Sequence, residues 1–180
     1  MSTHRLPGDC SAQVALARMI RVNHAGEYGA RRIYDGQLAV LRRSPAAPVI
    51  GHMARQEQKH LDTFDRLLIE RRVRPTLLAP FWHVAGFALG AASAVLGERA
   101  AMACTAAVEE VIDRHYQSQV DRLGEDEPAL AATIAEFRGD EREHRDTALA
   151  HGAEAAPAYM PMTTLVKAGT RAAIWLSTRV

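Results

Sequence analysis

The feature that most constrains this chain is a four-residue pattern, Glu-x-x-His, that occurs twice. It is found at Glu57-Gln58-Lys59-His60 and again at Glu141-Arg142-Glu143-His144. Residues three apart lie on the same face of an α-helix, so each pattern can direct one carboxylate and one imidazole toward a common point. A single match would be weak, because 12 Glu and 8 His in 180 residues give about half a match by chance.

The two patterns belong to a longer internal repeat. Glu27 lies 30 residues before Glu57, and Glu109 lies 32 residues before Glu141. An arginine, a tyrosine and a glutamine follow the first glutamate of each copy at identical offsets: Arg32, Tyr34 and Gln37 in one copy, and Arg114, Tyr116 and Gln119 in the other. The sequence therefore predicts two copies of one helical pair.

Composition fits one globular domain over residues 1–180, with the repeat at about residues 18–72 and 100–151. Apolar residues make up 48% of the chain and charged residues 24%. Alanine and leucine are abundant and runs of β-branched residues are few, which predicts an all-α fold. A net charge of +1 argues against nucleic acid as a partner. Cys10 and Cys104 are too few for a disulfide framework and favour a reducing compartment.

Apolar periodicity and helix-breaking residues predict the limits of four long helices. These helices are expected at about residues 12–42, 49–72, 98–123 and 129–151. Residues 1–11 form a loose lead-in without the pattern of a secretory signal. Gly152 is expected to stop the fourth helix. Gly26 and Gly29 flank Glu27, either for close approach of a backbone or ligand, or as a tolerated weak turn.

Two further segments are unusually apolar. Residues 75–97 contain no Asp, Glu, Lys or Arg, and are long enough to span a bilayer. Their glycine and alanine content favours instead a crossover helix that packs on the bundle and touches a membrane face. His83 within it is interpreted as an interfacial or core residue rather than a ligand. Residues 162–180, with Trp175 and basic neighbours, form an amphipathic helix that either meets a membrane interface or closes the bundle.

On the predicted helices, four glutamates and two histidines share the inner faces. Glu110 points about 100° away from Glu109, which makes Glu109 the better candidate. One Glu from each of two helices, with one Glu-x-x-His from each of two others, is the ligand set of a carboxylate-bridged dinuclear site in a four-helix bundle. Four carboxylates balance two divalent iron or manganese ions, and the absence of thiolates disfavours structural zinc. The candidate metal ligands are Glu27, Glu57, His60, Glu109, Glu141 and His144.

Several neighbouring residues have open roles. Tyr34 and Tyr116 lie two turns beyond the first glutamate of each copy, and either orient ligands and relay protons or simply fill the core. Asp62 and Asp146 follow the histidines by two positions, which turns them off the ligand face toward water. His24 either approaches the site or belongs to a helix start.

Beyond the two Glu-x-x-His patterns, the chain contains the segments His24-Ala25-Gly26-Glu27-Tyr28-Gly29-Ala30, Arg72-Val73-Arg74-Pro75-Thr76, Gly86-Phe87-Ala88-Leu89-Gly90 and Ala103-Cys104-Thr105 with Ala107-Val108-Glu109-Glu110. Together these motifs, which cover about residues 18–180, resemble the 5-demethoxyubiquinone hydroxylases of ubiquinone biosynthesis. The resemblance implies a ferritin-like fold and a di-iron monooxygenase. By position, it makes the six candidate ligands iron ligands. His115 and Tyr116 match a His-Tyr pair of the family used in electron or proton transfer, and are the catalytic candidates.

The resemblance also implies the reaction and its setting. The family hydroxylates the demethoxyubiquinone ring to give demethylubiquinone, the penultimate step of ubiquinone synthesis, using O₂ and electrons from NADH. The substrate is polyprenylated, and the expected partners are a membrane surface and other proteins of ubiquinone biosynthesis. The expected location is peripheral, on the cytoplasmic face of the bacterial inner membrane or, alternatively, on the matrix face of the mitochondrial one. The uncharged stretch at residues 81–96 and the C-terminal helix are candidates for the mouth that receives the polyprenyl tail.

One alternative function uses the same metal site. A ferritin-like protein that handles iron or peroxide would need the same bundle and ligands. Such a shell subunit has no use for an uncharged segment beside a tryptophan-bearing amphipathic helix, so the hydroxylase is the preferred interpretation. A lipid-binding protein with a structural metal would leave the duplicated ligands unexplained.

Overall fold

The computed structural model describes residues 11–180, so the lead-in expected at residues 1–11 lies almost entirely outside the described part. Within the described range the regular elements are all helical, as predicted. They are α1 (Ala12–Leu41), α2 (Ala47–Glu70), α3 (Ala79–Val95), α4 (Glu98–Leu123), α5 (Pro128–Ala150) and α6 (Tyr159–Ser177), with a short 3₁₀ helix at Ala153–Ala155. The limits of the four long helices agree with the sequence to within two residues, and α6 lies about one turn earlier than expected.

Local sequence explains where the helices begin and end. Ser11 caps α1, because its side-chain oxygen accepts a hydrogen bond from the Val14 amide. A proline occupies one of the first two positions of α2, α3 and α5, where its missing N–H costs nothing. Glycines with positive φ, Gly97 at 108°, Gly124 at 51° and Gly152 at 80°, form the joints next to α4 and after α5. The stop predicted at Gly152 is confirmed.

The long helices form a four-helix bundle of the ferritin-like type. α1 packs along α2, and α4 packs along α5, with each pair joined by a short loop. α3 carries the chain from α2 to α4 and lies along α1, and α6 lies on α4. No helix within residues 11–180 combines the length and the hydropathy needed to cross a bilayer. α3 is therefore the expected crossover helix, and α6 occupies the closing position that was one of its two alternatives.

Three glycines allow α3 to approach α1 at backbone distance. A Cβ atom at Gly36 would overlap the carbonyl oxygen of Phe87, and one at Gly90 would overlap the carbonyl oxygen of Ile33. At Gly86 the added atom would lie 2.8 Å from a carbonyl oxygen of α1. Gly86 and Gly90, two of the small residues within residues 75–97, therefore serve helix–helix packing.

The two glycines singled out by sequence have a different surrounding. A Cβ atom at Gly26 or Gly29 would meet nothing within 4 Å outside its own helix. Close approach of another backbone therefore does not require glycine at these two positions, although the Gly29 carbonyl oxygen is the α1 atom that Gly86 approaches. Both glycines line an apolar cavity, so the alternative of an approaching ligand remains compatible with the structure.

Two apolar clusters fill the bundle above and below its middle. One cluster contains Ile20, Phe64, Leu68, Ile112, Ile134 and Phe137, and the other contains Ile50, Met53, Ala54, Met102 and Ala148. The two Glu-x-x-His patterns lie between these levels on α2 and α5. Their carboxylates and imidazoles are consequently held inside an apolar bundle and away from bulk water.

Candidate metal centre

Four helices bring all six sequence-predicted ligands to one place. α1 supplies Glu27, α4 supplies Glu109, and α2 and α5 each supply one Glu-x-x-His. Each of the six side chains is at most 2% exposed. Burial of this many ionisable groups is unfavourable unless they are paired with one another or with a cation.

The ligand atoms fall into two adjacent groups, within each of which they lie no more than 4.8 Å apart. The first group consists of Glu27, Glu57, His60 and Glu141, and the second of Glu57, Glu109, Glu141 and His144. Two carboxylates, Glu57 and Glu141, belong to both groups. This is the arrangement of two neighbouring metal positions with two shared carboxylates.

Most donor atoms at the centre form no hydrogen bond, and the Nδ1 atoms of its histidines contact only carboxylate oxygens of the centre itself, at 3.2–3.4 Å. Of eleven buried side-chain nitrogen or oxygen atoms without a hydrogen bond in the described residues, eight belong to the six candidate ligands. They include both oxygens of Glu57 and Glu141 and the Nδ1 atoms of His60 and His144. Such atoms are rarely left unsatisfied. Oxygen and imidazole nitrogen donors fit iron or manganese, so the residues present fit a pair of divalent ions.

The carboxyl groups in this centre have opposite pKa shifts. Burial raises the pKa of Glu57 and Glu109 well above the ordinary value, and the neighbouring Glu141 carboxylate raises both further. Although burial also acts on Glu141, its contacts with His144 and His60 lower the pKa of that carboxyl to about 2. In the protein without metal, burial and the repulsion between neighbouring carboxyls thus favour the protonated forms of Glu57 and Glu109.

Two tyrosines hold the first glutamates from across the bundle. The Tyr116 hydroxyl donates a hydrogen bond to Oε1 of Glu27, and the Tyr34 hydroxyl donates one of 2.9 Å to Oε1 of Glu109. Burial raises the pKa of both tyrosines, so they remain protonated donors. Each tyrosine serves the glutamate of the other repeat, which supports the orienting role over simple core filling.

Two hydrogen-bond acceptors that the sequence interpretation missed hold the histidine rings. His60 donates through Nε2 to Oδ2 of Asp140 at 2.9 Å, and His144 donates through Nε2 to Oε1 of Gln56 at 3.1 Å. Both bonds direct Nδ1 toward the centre. The available signal was position, since each acceptor immediately precedes the glutamate of the opposite Glu-x-x-His.

The structure separates the two catalytic candidates. Tyr116 contacts the centre, whereas His115 turns away and accepts a hydrogen bond of 2.8 Å from the Gln119 amide. Gln119 in turn exchanges two hydrogen bonds with Asn23. Burial and the nearby Arg122 lower the pKa of His115 to about 4, so its ring is neutral. A catalytic role for either residue stays a prediction.

The remaining singled-out residues lie outside the centre. His24 bonds Asp65 on α2 at 3.0 Å, in the middle of α1, so the helix-start role is wrong and its partner is not one of the six ligands. Asp62 bonds Gln58 and faces water. Asp146 bonds Arg145 and is likewise exposed, which agrees with the expectation for both aspartates.

Two other ionisable residues also have partners at the surface. Glu110 forms ion pairs with Lys167 of α6 and Arg114, which confirms that it points away from Glu109. His83 is exposed, and its Nδ1 atom lies 2.6 Å from the Tyr28 hydroxyl. It is therefore an interfacial residue between α3 and α1.

An apolar cavity of about 320 Å³ reaches the neighbourhood of the centre. It lies between α1, α3, α4 and α6. Its walls include Gly26 and Val108, which adjoin the candidate ligands Glu27 and Glu109 in the chain. Further lining residues are Ile33, Phe81, Trp82, Leu89, Ile112, Ala173 and Ile174. The cavity wall thus includes the helix segments that carry Glu27 and Glu109.

Comparison with known proteins gives one family and close relatives. The family model described as "Ubiquinone biosynthesis protein COQ7" matches residues 14–177. A Rhodospirillum rubrum protein named 3-demethoxyubiquinol 3-hydroxylase is 59% identical over 98% of this chain and 84% of its own length. A Homo sapiens protein named NADPH-dependent 3-demethoxyubiquinone 3-hydroxylase, mitochondrial, is 51% identical over 96% of this chain and 81% of its own length. A Saccharomyces cerevisiae protein named 5-demethoxyubiquinone hydroxylase, mitochondrial, is 43% identical over 94% of this chain and 80% of its own length.

Proposed function

This chain belongs to the family of the ubiquinone biosynthesis protein COQ7, and we propose that it hydroxylates the ring of demethoxyubiquinone to give demethylubiquinone. The observation that supports this most is the buried six-residue centre with its unsatisfied donor atoms. The segments of α1 and α4 that carry two of its residues also form part of the wall of an apolar cavity. The names of the relatives describe the same chemical change in their own substrates. The reaction is a monooxygenation in the penultimate step of ubiquinone synthesis.

The cofactor is proposed to be a pair of iron ions. Glu27, Glu57, His60 and Glu141 would hold one ion, and Glu57, Glu109, Glu141 and His144 would hold the other. Bound there, iron supplies the activation of O₂ that places one oxygen atom on the ring and releases the other as water. The apolar clusters around the centre exclude bulk water from this chemistry.

The side chains around the centre contribute to the mechanism by orienting the ligand carboxylates and by supplying protons. Tyr34 and Tyr116 fix the two glutamates that belong to one group each. Tyr116 also offers the nearest hydroxyl proton to Glu27, which makes it the candidate for proton transfer. His115, adjacent to Tyr116 in the chain and neutral, accepts a hydrogen bond from Gln119 of the Gln119–Asn23 pair and is the second catalytic candidate.

The substrate is proposed to enter through the apolar cavity, with its ring toward Glu27 and its polyprenyl tail along α3 and α6. Trp82 donates a hydrogen bond of 3.0 Å to the buried hydroxyl of Ser177, which fixes α6 against α3 at the cavity. Apolar walls suit the tail. The electrons come from a reduced nicotinamide nucleotide. NADH is the expectation from sequence, and the name of the human relative specifies NADPH.

Exposed apolar side chains on the same helices suggest peripheral membrane contact. Phe81 on α3 is 59% exposed, and Leu165 and Trp175 on α6 are 75% and 55% exposed. Aromatic and aliphatic residues of this kind insert at a bilayer interface. The proposed location is the cytoplasmic face of a bacterial inner membrane or the matrix face of the mitochondrial one. The human and yeast relatives carry the word mitochondrial in their names. Other proteins of ubiquinone biosynthesis are proposed as partners.

The test is deletion of the gene from its host, followed by mass analysis of extracted quinones and complementation. We expect demethoxyubiquinone to accumulate and only chains with an intact centre to restore ubiquinone. Glu141→Ala should fail to rescue, whereas Glu143→Ala, an exposed glutamate on the same helix, should succeed. Purified wild type should contain two iron ions and Glu141→Ala should not. Normal ubiquinone with altered peroxide or iron sensitivity would favour the iron- or peroxide-handling alternative instead.

A further inference from the structure

The two halves of the centre share a pattern of crosswise hydrogen bonds, and within that pattern one difference is informative. Each half contributes a tyrosine that bonds the first glutamate of the other half, and a histidine whose Nε2 bonds the other half. The acceptors for the histidines differ in charge. His60 donates to the carboxylate of Asp140, while His144 donates to the neutral amide oxygen of Gln56.

A hydrogen bond to the Asp140 carboxylate makes the His60 imidazole a stronger metal ligand. A histidine that donates its second N–H to a carboxylate becomes a more basic donor at the other nitrogen, and such a bond is stronger than one to a neutral acceptor. The Asp140 bond is also the shorter one, 2.9 Å against 3.1 Å. The His60 ring is further fixed by stacking on Phe137, with centroids 3.9 Å apart and planes at 24°.

The ligand charges themselves do not distinguish the positions. Each group contains three glutamates and one histidine, two of the glutamates being common to both. The charge of Asp140 is therefore an asymmetric element beside two positions with the same ligand types. Negative charge next to His60 favours a cation bound at Nδ1 of that ring.

We propose that Asp140 and Gln56 are positioning residues that make the two metal positions unequal. The position that contains Glu27 and His60 binds its divalent ion first and more tightly, and the position that contains Glu109 and His144 fills second. The inference rests on the proposed function only in that the six residues hold two ions.

The test follows metal loading in the whole protein, with Zn²⁺ as a diamagnetic probe. Nitrogen-15 spectra of the histidine rings report coordination at each Nδ1, and calorimetry gives the two binding constants. In wild type we expect the His60 signal to shift over the first equivalent and the His144 signal over the second. Asp140→Asn should lower the first affinity about 10- to 100-fold and bring the two constants together.

The decisive variant exchanges the two acceptors. Asp140→Asn combined with Gln56→Glu leaves the net charge unchanged and should reverse the loading order, so that His144 shifts first. A purely structural role for these residues would not produce a reversal. The control is Asp146→Asn, which makes the same charge change on the same helix at a side chain that is 64% exposed and bonded to Arg145, and it should keep the wild-type order.

Two results would overturn the inference: both rings shifting together in wild type, or an unchanged order in the exchanged variant. Its failure is separable from that of the proposed function. A protein that loads Zn²⁺ in the expected order without hydroxylating demethoxyubiquinone would refute the function alone. A hydroxylase that loads both positions together would refute this inference alone.

Discussion

Gly90→Ala tests the close packing of α3 on α1. Alanine would gain helix preference there but would also clash with the backbone of α1, and the clash is expected to be the larger effect. Alanine is favoured over glycine inside a helix by about 1 kcal/mol. The new Cβ atom would overlap the Ile33 carbonyl oxygen and lie 2.7 Å from its carbonyl carbon, and backbone atoms cannot rotate away. Overpacking of this kind costs about 1–3 kcal/mol. With the upper value, we expect a net loss of about 2 kcal/mol in unfolding free energy.

Gly139→Ala is the matched control. Gly139 also lies inside a helix, but an added Cβ atom would meet nothing within 4 Å. Only the helix preference remains, so this variant should be more stable by about 1 kcal/mol. For a chain of this size, melting temperatures should fall by roughly 4–8 °C in Gly90→Ala and rise by roughly 2–4 °C in Gly139→Ala.

The assay is thermal and urea unfolding of both variants at equal metal content, with binding of a quinone analogue measured alongside. Because α3 also lines the apolar cavity, Gly90→Ala should weaken that binding while Gly139→Ala leaves it unchanged. Equal stabilisation of the two variants would refute the backbone contact between α1 and α3.

Three further outcomes follow from the centre and its surroundings. Metal loading at neutral pH should release protons, because burial raises the pKa of Glu57 and Glu109; identical calorimetric heats in buffers of different ionisation enthalpy would contradict this. The pKa of His115 is lowered from 6.5 to about 4, so the unfolded chain binds this proton first as pH falls. Stability should be full above about pH 6.5 and decline toward pH 4 by at most about 1.4 kcal/mol per pH unit, and His115→Gln should lessen that slope in urea unfolding. Tyr34→Phe leaves Glu109 without its donor, and should destabilise the metal-free protein by about 1–3 kcal/mol in the same assay, whereas no change would argue that water replaces the hydroxyl.

Sequence was sufficient for the helices and the six candidate ligands because both depend on local periodicity. Glu57 and His60 share a helix face whatever the rest of the chain does, and the repeat then identifies Glu141 and His144. The inward position of Glu109 rather than Glu110 follows from the same geometry, and the structure agrees.

The missed features depend instead on how helices dock. Asp140 lies one position before Glu141, where helical geometry alone points it off the ligand face, and only the packing of α5 beside α2 brings it to His60. The glycines that matter for docking, Gly36 and Gly90, are determined by the crossing of α1 and α3 rather than by a motif. His115 illustrates the converse, since a matching pair of residues did not reveal that the ring faces Gln119.

The crosswise hydrogen bonds have a consequence for how the protein is made. They join residues 75 to 89 positions apart, so the bonds of Glu27 to Tyr116 and of His60 to Asp140 cannot form until much of the second repeat has been synthesised. Glu27, Glu57 and His60 leave the ribosome before α5. Their contacts with α5 therefore form late, after the intervening chain has brought the two repeats together. A nascent or truncated chain therefore contains only part of the ligand set of each metal position. The complete ligand sets, which determine which metal ion binds, are therefore assembled only at the last stage of folding.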